Sequence, residues 1–301
     1  MKHISITGSL GSGKSAVAKR LKELLGMEIE SIGSIQRKMG AQYGMTTIEF
    51  NQYMENHHEI DEKLDEFVKK EGLSSEWKIF DSRLAWHFIP SSLKVYLYAD
   101  ENIAADRIFK DNQRIGEGYQ TLEETLYNIR RRRRSEILRY RNQYNIDLEN
   151  LSNYDVVIDT SYTTINDNAL LVKKIYESKD TRLHYLWISP RSLKPTEKNR
   201  NYGLSYIRDI NRLFYTIDTY IENPIKVLFY NDMFYIFDGH KRTLNALELN
   251  FKFVPCLLIN NTENYRLFKT ETVKNYIEDN NTPIVNADWS DVCDAIINKN
   301  K

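Results

Sequence analysis

One short segment near the start of the chain limits what this sequence can fold into more than any other part. It follows the pattern of a glycine, four residues and Gly-Lys-Ser, and its members are Gly8, Ser9, Leu10, Gly11, Ser12, Gly13, Lys14 and Ser15. Glycines in such a loop let backbone N–H groups turn inward around a phosphate, and the positive end of the following helix favours the same anion. The pattern therefore predicts a phosphate-binding loop between a strand over 3–7 and a helix over 14–25.

The polar side chains of this loop predict the cofactors. The Lys14 ammonium is expected to reach the β- and γ-phosphates of a nucleoside triphosphate, and the Ser15 hydroxyl is expected to ligate Mg²⁺. ATP and Mg²⁺ are therefore the predicted cofactors, and Ser15 is the predicted metal ligand. The predicted nucleotide-binding residues are Gly8, Ser9, Gly11, Ser12, Gly13, Lys14 and Ser15.

Strand-like and helix-like segments alternate through the first part of the chain. The helix predicted over 14–25 has the apolar spacing of a packed helix, with four residues on one face: Val17, Leu21, Leu24 and Leu25. Polar helices follow to about residue 71. Further strands are predicted near 27–32, 78–81, 93–99 and 155–159. Alternation of this kind predicts an α/β fold with a parallel five-stranded sheet covered by helices.

A polar stretch over 177–182 interrupts this pattern and marks the predicted boundary between two domains, 1–178 and 182–301. The second domain is predicted to be a smaller α+β domain with a helical extension over roughly the last 40 residues. Asn231 and Asp232 between two of its strands are typical of a tight hairpin. The expected strands are 184–188, 225–230, 233–237 and 254–259. One helix is expected over 203–215, and a second from the turn at 238–240 to about residue 249.

The overall charge limits the classes of partner. Lysine and arginine total 42, aspartate and glutamate also total 42, and the formal net charge is zero. No global field then draws the protein to nucleic acid or to an anionic membrane, although a local basic patch leaves binding of nucleic acid open.

No apolar run approaches the roughly 18 residues of a membrane span, and the N-terminus has the pattern of a strand, so a cytoplasmic location is expected. Small-molecule nucleotides are the expected partners, and the sequence gives no oligomeric state.

Arginines recur at separated points of the first domain. A phosphoryl-transfer enzyme must clamp phosphorylated substrates and exclude water, and for that purpose it needs positive charge from several segments. The polar, glycine-containing segment over 114–119 is typical of a mobile lid. Five consecutive arginines on one helix would cover every face of it, which is costly unless anions are nearby. The arginines in question are Arg37, Arg83, Arg107, Arg114 and Arg130 to Arg134.

Taken together, the motifs of residues 1–178 resemble those of the short cytidylate kinases found in archaea and some bacteria. The phosphate loop is followed by Ser31-Ile32-Gly33 with Arg37, and later by Asp81-Ser82-Arg83-Leu84-Ala85. Further matching positions are Gly44-Met45, Glu49-Phe50-Asn51, Glu59-Ile60-Asp61, Asp65, Ser135-Glu136, Arg139-Tyr140, Tyr144, Ile146-Asp147, Tyr154-Asp155 and Ile158-Asp159-Thr160-Ser161. The resemblance implies a P-loop kinase fold with a helical lid, and transfer of a phosphoryl group from ATP to CMP or dCMP.

The same resemblance implies which residues meet the acceptor. Arg37 and Arg83 would hold the acceptor's phosphate, whereas Asp61 and Asp81 would lie near its base or sugar, or near the metal. The implied substrate-binding residues are Arg37, Asp61, Asp81, Arg83 and Arg139.

The resemblance also implies which residues act on the transferring group. Arg107, Arg132 and Arg139 would belong to the lid and its flanking helices, where positive charge stabilises the transferring phosphoryl group. The implied catalytic residues are Lys14, Arg83, Arg107 and Arg132.

Three positions depart from the pattern of the resembled family. Ser34 stands where the family usually has an acidic residue, Gln36 where it has Phe, and Trp86 where it has Gly. The bulk of Trp86 would reshape the acceptor pocket. These departures therefore bear on base specificity more than on ATP binding.

The second domain carries its own polar cluster at a predicted strand–helix turn. Glycine permits the sharp turn, and a helix N-terminus beside basic side chains predicts an anion site. The residues of this turn are Asp238, Gly239, His240, Lys241 and Arg242.

Around this turn, residues 182–260 resemble the ParB/sulfiredoxin superfamily. The matching segments are Ile188-Ser189-Pro190, Leu193-Lys194-Pro195, Asn223-Pro224-Ile225, Phe237 to Arg242, Ala246 and Val254-Pro255. Members with such turns bind nucleotides, and free serine kinases among them transfer phosphate; Glu197 fits their pattern, whereas Arg200 fits the ParB-like pattern. The implied second-domain anion site is Glu197, Arg200, Asp238, Gly239, His240, Lys241 and Arg242.

Three functions stay open on the sequence. The first is a two-domain enzyme that phosphorylates CMP or dCMP. The second is a kinase for another small acceptor, such as a modified nucleotide or free serine. The third is a nucleotide-sensing regulator in which the phosphate-loop domain switches a ParB-like domain. All three require the phosphate loop and therefore Lys14, whereas a change at Arg83 discriminates better between them, because under the first function it should weaken acceptor binding and lower turnover.

Overall fold

The computed structural model describes residues 3–111, 119–178, 180–196 and 216–259 of the chain. The chain divides into two compact units, residues 1–181 and 182–301. The two units are described separately below.

The first unit is built on a parallel sheet, as the alternation of elements predicts. Its five strands are β1 (Ile4–Gly8), β2 (Glu28–Ser31), β3 (Lys78–Asp81), β4 (Leu93–Tyr98) and β5 (Val156–Asp159). Their order is β2-β3-β1-β4-β5, and all neighbouring pairs are parallel. Because the strands are parallel, their carboxyl ends meet at one edge, where ligands bind in open α/β sheets. Gly8, Asp81 and Asp159 end their strands at this edge.

Helices connect the strands of this sheet. The helix predicted over 14–25 forms with those bounds, and it buries Val17, Ala18 and Leu21. The Asp100 and Thr121 side chains accept hydrogen bonds at the starts of two later helices, which satisfies N–H groups that the helices leave unpaired. The helices are α1 (Lys14–Leu25), α2 (Ile32–Gln42), α3 (Thr47–Met54), α4 (His58–Glu71), α5 (Ala85–Phe88), α6 (Glu101–Lys110), α7 (Leu122–Tyr144) and α8 (Ile165–Glu177).

The five-arginine run lies in the middle of α7, and acidic side chains approach it from different directions. Arg130 pairs with Glu101 of α6 at 2.7 Å, Arg132 with Glu136 of α7 itself at 3.1 Å, and Arg133 with Glu149 at 2.6 Å. The sequence predicts that such a run needs anions, and three carboxylates of the chain supply them. Their charges offset the mutual repulsion of the arginines within this helix.

The second unit contains a mixed sheet. Its strands are β6 (Leu186–Ile188), β7 (Leu193–Lys194), β8 (Ile225–Tyr230), β9 (Met233–Asp238) and β10 (Val254–Leu258). Strand β10 is antiparallel to β6 and parallel to β8. Strands β8 and β9 form an antiparallel hairpin, and β7 is parallel to β9. At the tip of the hairpin, Asn231 and Asp232 have φ angles of 46° and 60°, which fits the tight turn predicted from these residues. Two α-helices of this unit are Ile217–Glu222 and His240–Glu248.

Several predicted segments lie outside the described residues. They are most of the lid segment over 114–119, the helix over 203–215 and the helical extension at the end of the chain. Among the residues that are described, no helix combines the length and the apolar character needed to cross a membrane.

Candidate functional site

The phosphate loop touches the neighbouring backbone so closely that two of its glycines have no substitute. Gly8 has a φ of 146°, and a Cβ atom there would lie 2.0 Å from the Leu97 carbonyl oxygen on β4. Gly11 has a φ of 74°, and a Cβ atom there would lie 2.7 Å from the Ala104 carbonyl oxygen on α6. The loop pattern seen in the sequence thus reflects close packing as well as backbone freedom.

Side chains of the loop brace it from within. The Ser12 hydroxyl donates to the Ser9 carbonyl at 2.8 Å, and the Ser9 hydroxyl accepts from the Ala99 N–H at 3.0 Å. The Lys14 ammonium lies across the loop and donates to the Gly8 and Ser9 carbonyls at 3.0 and 2.9 Å. Burial and the neighbouring Arg83 lower the pKa of Lys14.

Ser15 and Asp81 form a pair of oxygen ligands beside the loop. The Ser15 hydroxyl donates to the Asp81 carboxylate at 2.7 Å. Asp81 ends β3, directly beside Ile6 of β1, so the sheet itself brings the two oxygens together. A hydroxyl and a carboxylate at this place are the oxygen donors that Mg²⁺ prefers. The pair therefore suits a magnesium ion, and Asp81 lies against the predicted metal ligand.

Arg83 follows β3 and reaches back to the phosphate loop. Its guanidinium donates to the Gly8 carbonyl, and its Nε pairs with a carboxylate oxygen of Glu136 on α7 at 2.9 Å. Arg132 pairs with the other oxygen of Glu136 at 3.1 Å. Two predicted catalytic arginines, 49 positions apart in the chain, thus meet on one buried carboxylate next to Lys14.

Glu136 lies in this site, although the sequence analysis does not name it among the catalytic or substrate-binding residues. Burial alone would raise its pKa, but Arg83, Arg132, Arg139 and Lys14 together hold that pKa at about 2. Two signals pointed to it: its spacing of four residues after Arg132, and its place in the Ser135-Glu136 match to the resembled family.

Trp86 supports Arg83 from inside the protein. Its indole N–H donates to the Arg83 carbonyl at 3.0 Å, and its ring packs edge-on against Tyr154, with centroids 5.2 Å apart. The side chain is buried. Its bulk therefore fixes the backbone that carries Arg83, two residues before α5.

Arg107 contacts a different side of the loop. Its guanidinium donates to the Thr160 and Ser161 carbonyls at 2.5 and 3.1 Å, and to the Gly11 carbonyl at 3.4 Å. Burial lowers the pKa of Arg107. The side chain thus joins α6 and the segment after β5 to the phosphate loop, and it does not meet the Glu136 cluster that holds Arg83 and Arg132.

The predicted acceptor residues fall into an exposed and a buried group. Arg37 is exposed on α2, and no ion pair or hydrogen bond within the described ranges holds its guanidinium. Asp61 of α4 and Arg139 of α7 are both buried, with Nε and a carboxylate oxygen 3.3 Å apart. Burial raises the pKa of Asp61, and Arg139 opposes that rise.

In the second unit, the structure divides the predicted anion site. Arg242 donates to the Asn223 and Pro224 carbonyls at 2.6 and 2.8 Å and to Asp238 at 3.0 Å, so it braces the start of the helix. His240 is buried and accepts from the Thr196 N–H at 3.1 Å.

The remaining members of this site differ in position. Gly239 has a φ of 112° at the turn, and Asp238 and Lys241 are exposed there. Glu197 and Arg200 lie outside the described residues.

Comparison with known proteins matches the first unit. A family model described as an AAA domain matches residues 4–139. The cytidylate kinase of Pyrobaculum neutrophilum is 31% identical over 165 residues, which are 54% of this chain and 86% of that protein. The cytidylate kinase of Methanobrevibacter smithii is 36% identical over 157 residues, which are 52% of this chain and 88% of that protein.

A third relative is a longer protein. The S-adenosylmethionine-dependent nucleotide dehydratase of Lacinutrix mariniflava is 33% identical over 178 residues, which are 59% of this chain and 36% of that protein.

These matches cover the unit that carries the loop, Lys14, Arg83 and Glu136, and two of them span most of a cytidylate kinase. Through its first unit, the chain belongs to the cytidylate kinase family of P-loop kinases.

Proposed function

We propose that the protein transfers a phosphoryl group from ATP to a nucleoside monophosphate, with CMP or dCMP as the acceptor. The observation that carries this proposal is the meeting of Lys14, Arg83 and Arg132 at the phosphate loop, beside the Ser15–Asp81 pair. Phosphoryl transfer needs this grouping, because catalysis rests on holding the phosphates in line and stabilising the charge on the transferring group.

Each part of the site has a task in this reaction. The loop N–H groups and Lys14 would bind the phosphates of ATP. Ser15 and Asp81 would hold a magnesium ion, which when bound would neutralise charge on the phosphate oxygens. Arg83 and the exposed Arg37 bind the acceptor's phosphate, and Arg132 faces the transferring group. The acceptor phosphate is already anionic, so the chain need not supply a base to activate it.

The test of this function is ADP release by the full chain with ATP and Mg²⁺ across a panel of acceptors. The panel contains CMP, dCMP, UMP, AMP, GMP, dTMP and free serine. We expect CMP or dCMP to stimulate ADP release at least tenfold over the others, and Lys14→Ala to abolish it. Lys22→Ala is the matched control, since Lys22 is an exposed lysine of the same helix that pairs with Glu28.

Other results of the panel would point elsewhere. Stimulation by serine alone would contradict a nucleotide acceptor and favour the second unit as the place where the acceptor binds. A response to none of the acceptors would contradict the kinase proposal and favour a nucleotide-sensing regulator.

For the second unit, we infer a binding site for a cytidine nucleotide on a ParB/sulfiredoxin-like fold. The support is the turn at Asp238–Gly239, which exposes Asp238 and Lys241 at the start of a helix. The nucleotide dehydratase relative adds an analogy, because there a segment similar to this kinase unit belongs to a longer protein named for acting on nucleotides. The second unit would then use what the first unit makes.

This site is tested in the full chain with the phosphate loop disabled. In a Lys14→Ala background, we expect saturable binding of a fluorescent CTP analogue, weakened at least tenfold by an added Lys241→Ala change. Lys226→Ala is the control, because Lys226 is another lysine near Asp238. It lies on β8, and its Nζ is 3.9 Å from a carboxylate oxygen of Asp238. Absence of saturable binding by CTP, ATP and ADP alike would remove the proposal.

A further inference from the structure

Glu136 is a buried carboxylate surrounded by the cations of the phosphate site. Its two oxygens pair with two different arginines, one with Arg83 at 2.9 Å and the other with Arg132 at 3.1 Å. Arg139 and Lys14 add to the positive field at this carboxylate. A site that binds phosphates has little use for a buried negative charge, unless that charge acts on the arginines.

The two pairs fix where the arginines can point. Arg83 uses Nε and one terminal nitrogen toward Glu136 and the other terminal nitrogen toward the Gly8 carbonyl, so its guanidinium lies against the first residue of the phosphate loop. Arg132 is on the same helix as Glu136, one turn earlier, and also uses Nε for the contact. Paired in this way, both guanidinium groups are held in place before any phosphate arrives.

The negative charge has a second consequence, which concerns affinity. Without Glu136, Lys14, Arg83 and Arg132 would be close cations with no buried counter-charge on α7, and they would bind any polyphosphate more strongly. Binding that is equally strong for substrates and products does not speed transfer, and it slows release of products.

We propose that Glu136 is a positioning residue that aims Arg83 and Arg132 at the transferring phosphoryl group and restrains the affinity of the site for nucleotide phosphates. This inference rests on the proposed kinase function for its effect on turnover, but its effect on ATP affinity stands independently. It assigns to Glu136 no contact with a substrate.

Two variants separate the charge of Glu136 from its reach. Glu136→Gln removes the charge and keeps the length, so we expect ATP to bind about tenfold more tightly at low salt, while turnover with CMP falls about a hundredfold. Glu136→Asp keeps the charge but is too short to hold both arginines. For this variant we expect ATP affinity within about threefold of the wild type, with turnover lowered about tenfold or more.

The direction of the change in ATP affinity gives a readout that a packing role would not produce. A packing defect at Glu136 would weaken ATP binding and lower turnover together. Loss of the Glu136 charge beside Arg83 and Arg132 should instead strengthen ATP binding while turnover falls, so the two quantities should move in opposite directions in Glu136→Gln.

The matched control is Glu101→Gln. Glu101 also pairs with an arginine of the run, Arg130, at 2.7 Å, but that arginine is exposed and no phosphate-loop residue takes part. We expect this variant to match the wild type in ATP affinity, turnover and unfolding temperature.

Two results would overturn the proposal. One is unchanged ATP affinity and turnover in Glu136→Gln. The other is a joint loss of ATP affinity, turnover and unfolding temperature in both variants, which would make Glu136 a packing residue. If the wild type phosphorylates no acceptor, the proposed kinase function is wrong. Tighter ATP binding by Glu136→Gln would then still support the effect of Glu136 on ATP affinity, and unchanged ATP binding would refute that effect.

Discussion

Replacing Arg83 with alanine is expected to lower kcat/KM for CMP by about a thousandfold while ATP affinity falls by about tenfold at most. Arg83 joins the Gly8 carbonyl and Glu136. In the proposed reaction, its guanidinium would lie where the acceptor's phosphate meets the transferring group. Both KM for CMP and kcat should suffer, because the charge serves binding and transfer alike. Initial rates over a range of CMP at saturating ATP, with ATP affinity by titration, measure the effect.

Arg20→Ala is the control for this variant. Arg20 lies on α1 close in sequence to the loop, but its guanidinium contacts only Glu23 and Asn166 at the surface in the hydrogen bonds that the structure shows. It should leave all of these constants unchanged. A loss of ATP affinity in Arg83→Ala as large as the loss of turnover would contradict an acceptor-side role for Arg83.

The second large effect concerns stability. Gly8→Ala is expected to lower the free energy of unfolding by more than about 3 kcal/mol, because the new Cβ would meet the β4 backbone and no side-chain movement can relieve that contact. The Leu97 carbonyl oxygen would be 2.0 Å from this Cβ. β1 is the central strand of the sheet, so any shift that relieves the contact also disturbs its pairing with β4.

Gly26→Ala separates this contact from backbone strain. Gly26 also has a positive φ, 68°, at the end of α1, but no atom lies within 4 Å of its Cβ position. Its replacement should cost about 1 kcal/mol, the ordinary strain of a left-handed residue. Chemical denaturation of the two variants measures the difference, and equal losses would show that crowding at Gly8 has no part in it.

Local patterns were enough to predict much of the first unit. The Gly8-to-Ser15 loop and the apolar face of α1 lie within consecutive residues, so loop, helix and strand could be predicted together. Alternating elements then predicted the parallel sheet that the pairings of β1 confirm. In the second unit, Asn231 and Asp232 predicted the hairpin because their side chains tolerate the left-handed backbone that the turn requires.

Contacts between distant segments could not be predicted in the same way. The pairing of Arg83 with Glu136 joins residues 53 positions apart, and no local spacing marks it. Arg107 belongs to the arginines predicted for phosphates, but 53 positions also separate it from the Thr160 carbonyl that it contacts. The partners of the five-arginine run are a further example. Arg130 pairs with Glu101 of α6 and Arg133 with Glu149 after α7, and neither acidic residue is near the run in sequence.

The central place of β1 has a consequence for synthesis of the protein on the ribosome. The loop that ends this strand is made well before its partners, since the Ser9 N–H pairs with the Leu97 carbonyl, and the Ala99 N–H with the Ser9 hydroxyl. Ile4 itself is flanked by Ile79 and Leu93. A nascent chain from which Leu97 and Ala99 have not yet emerged therefore lacks these partners of the loop, and we expect the loop to bind a nucleotide only after they have emerged.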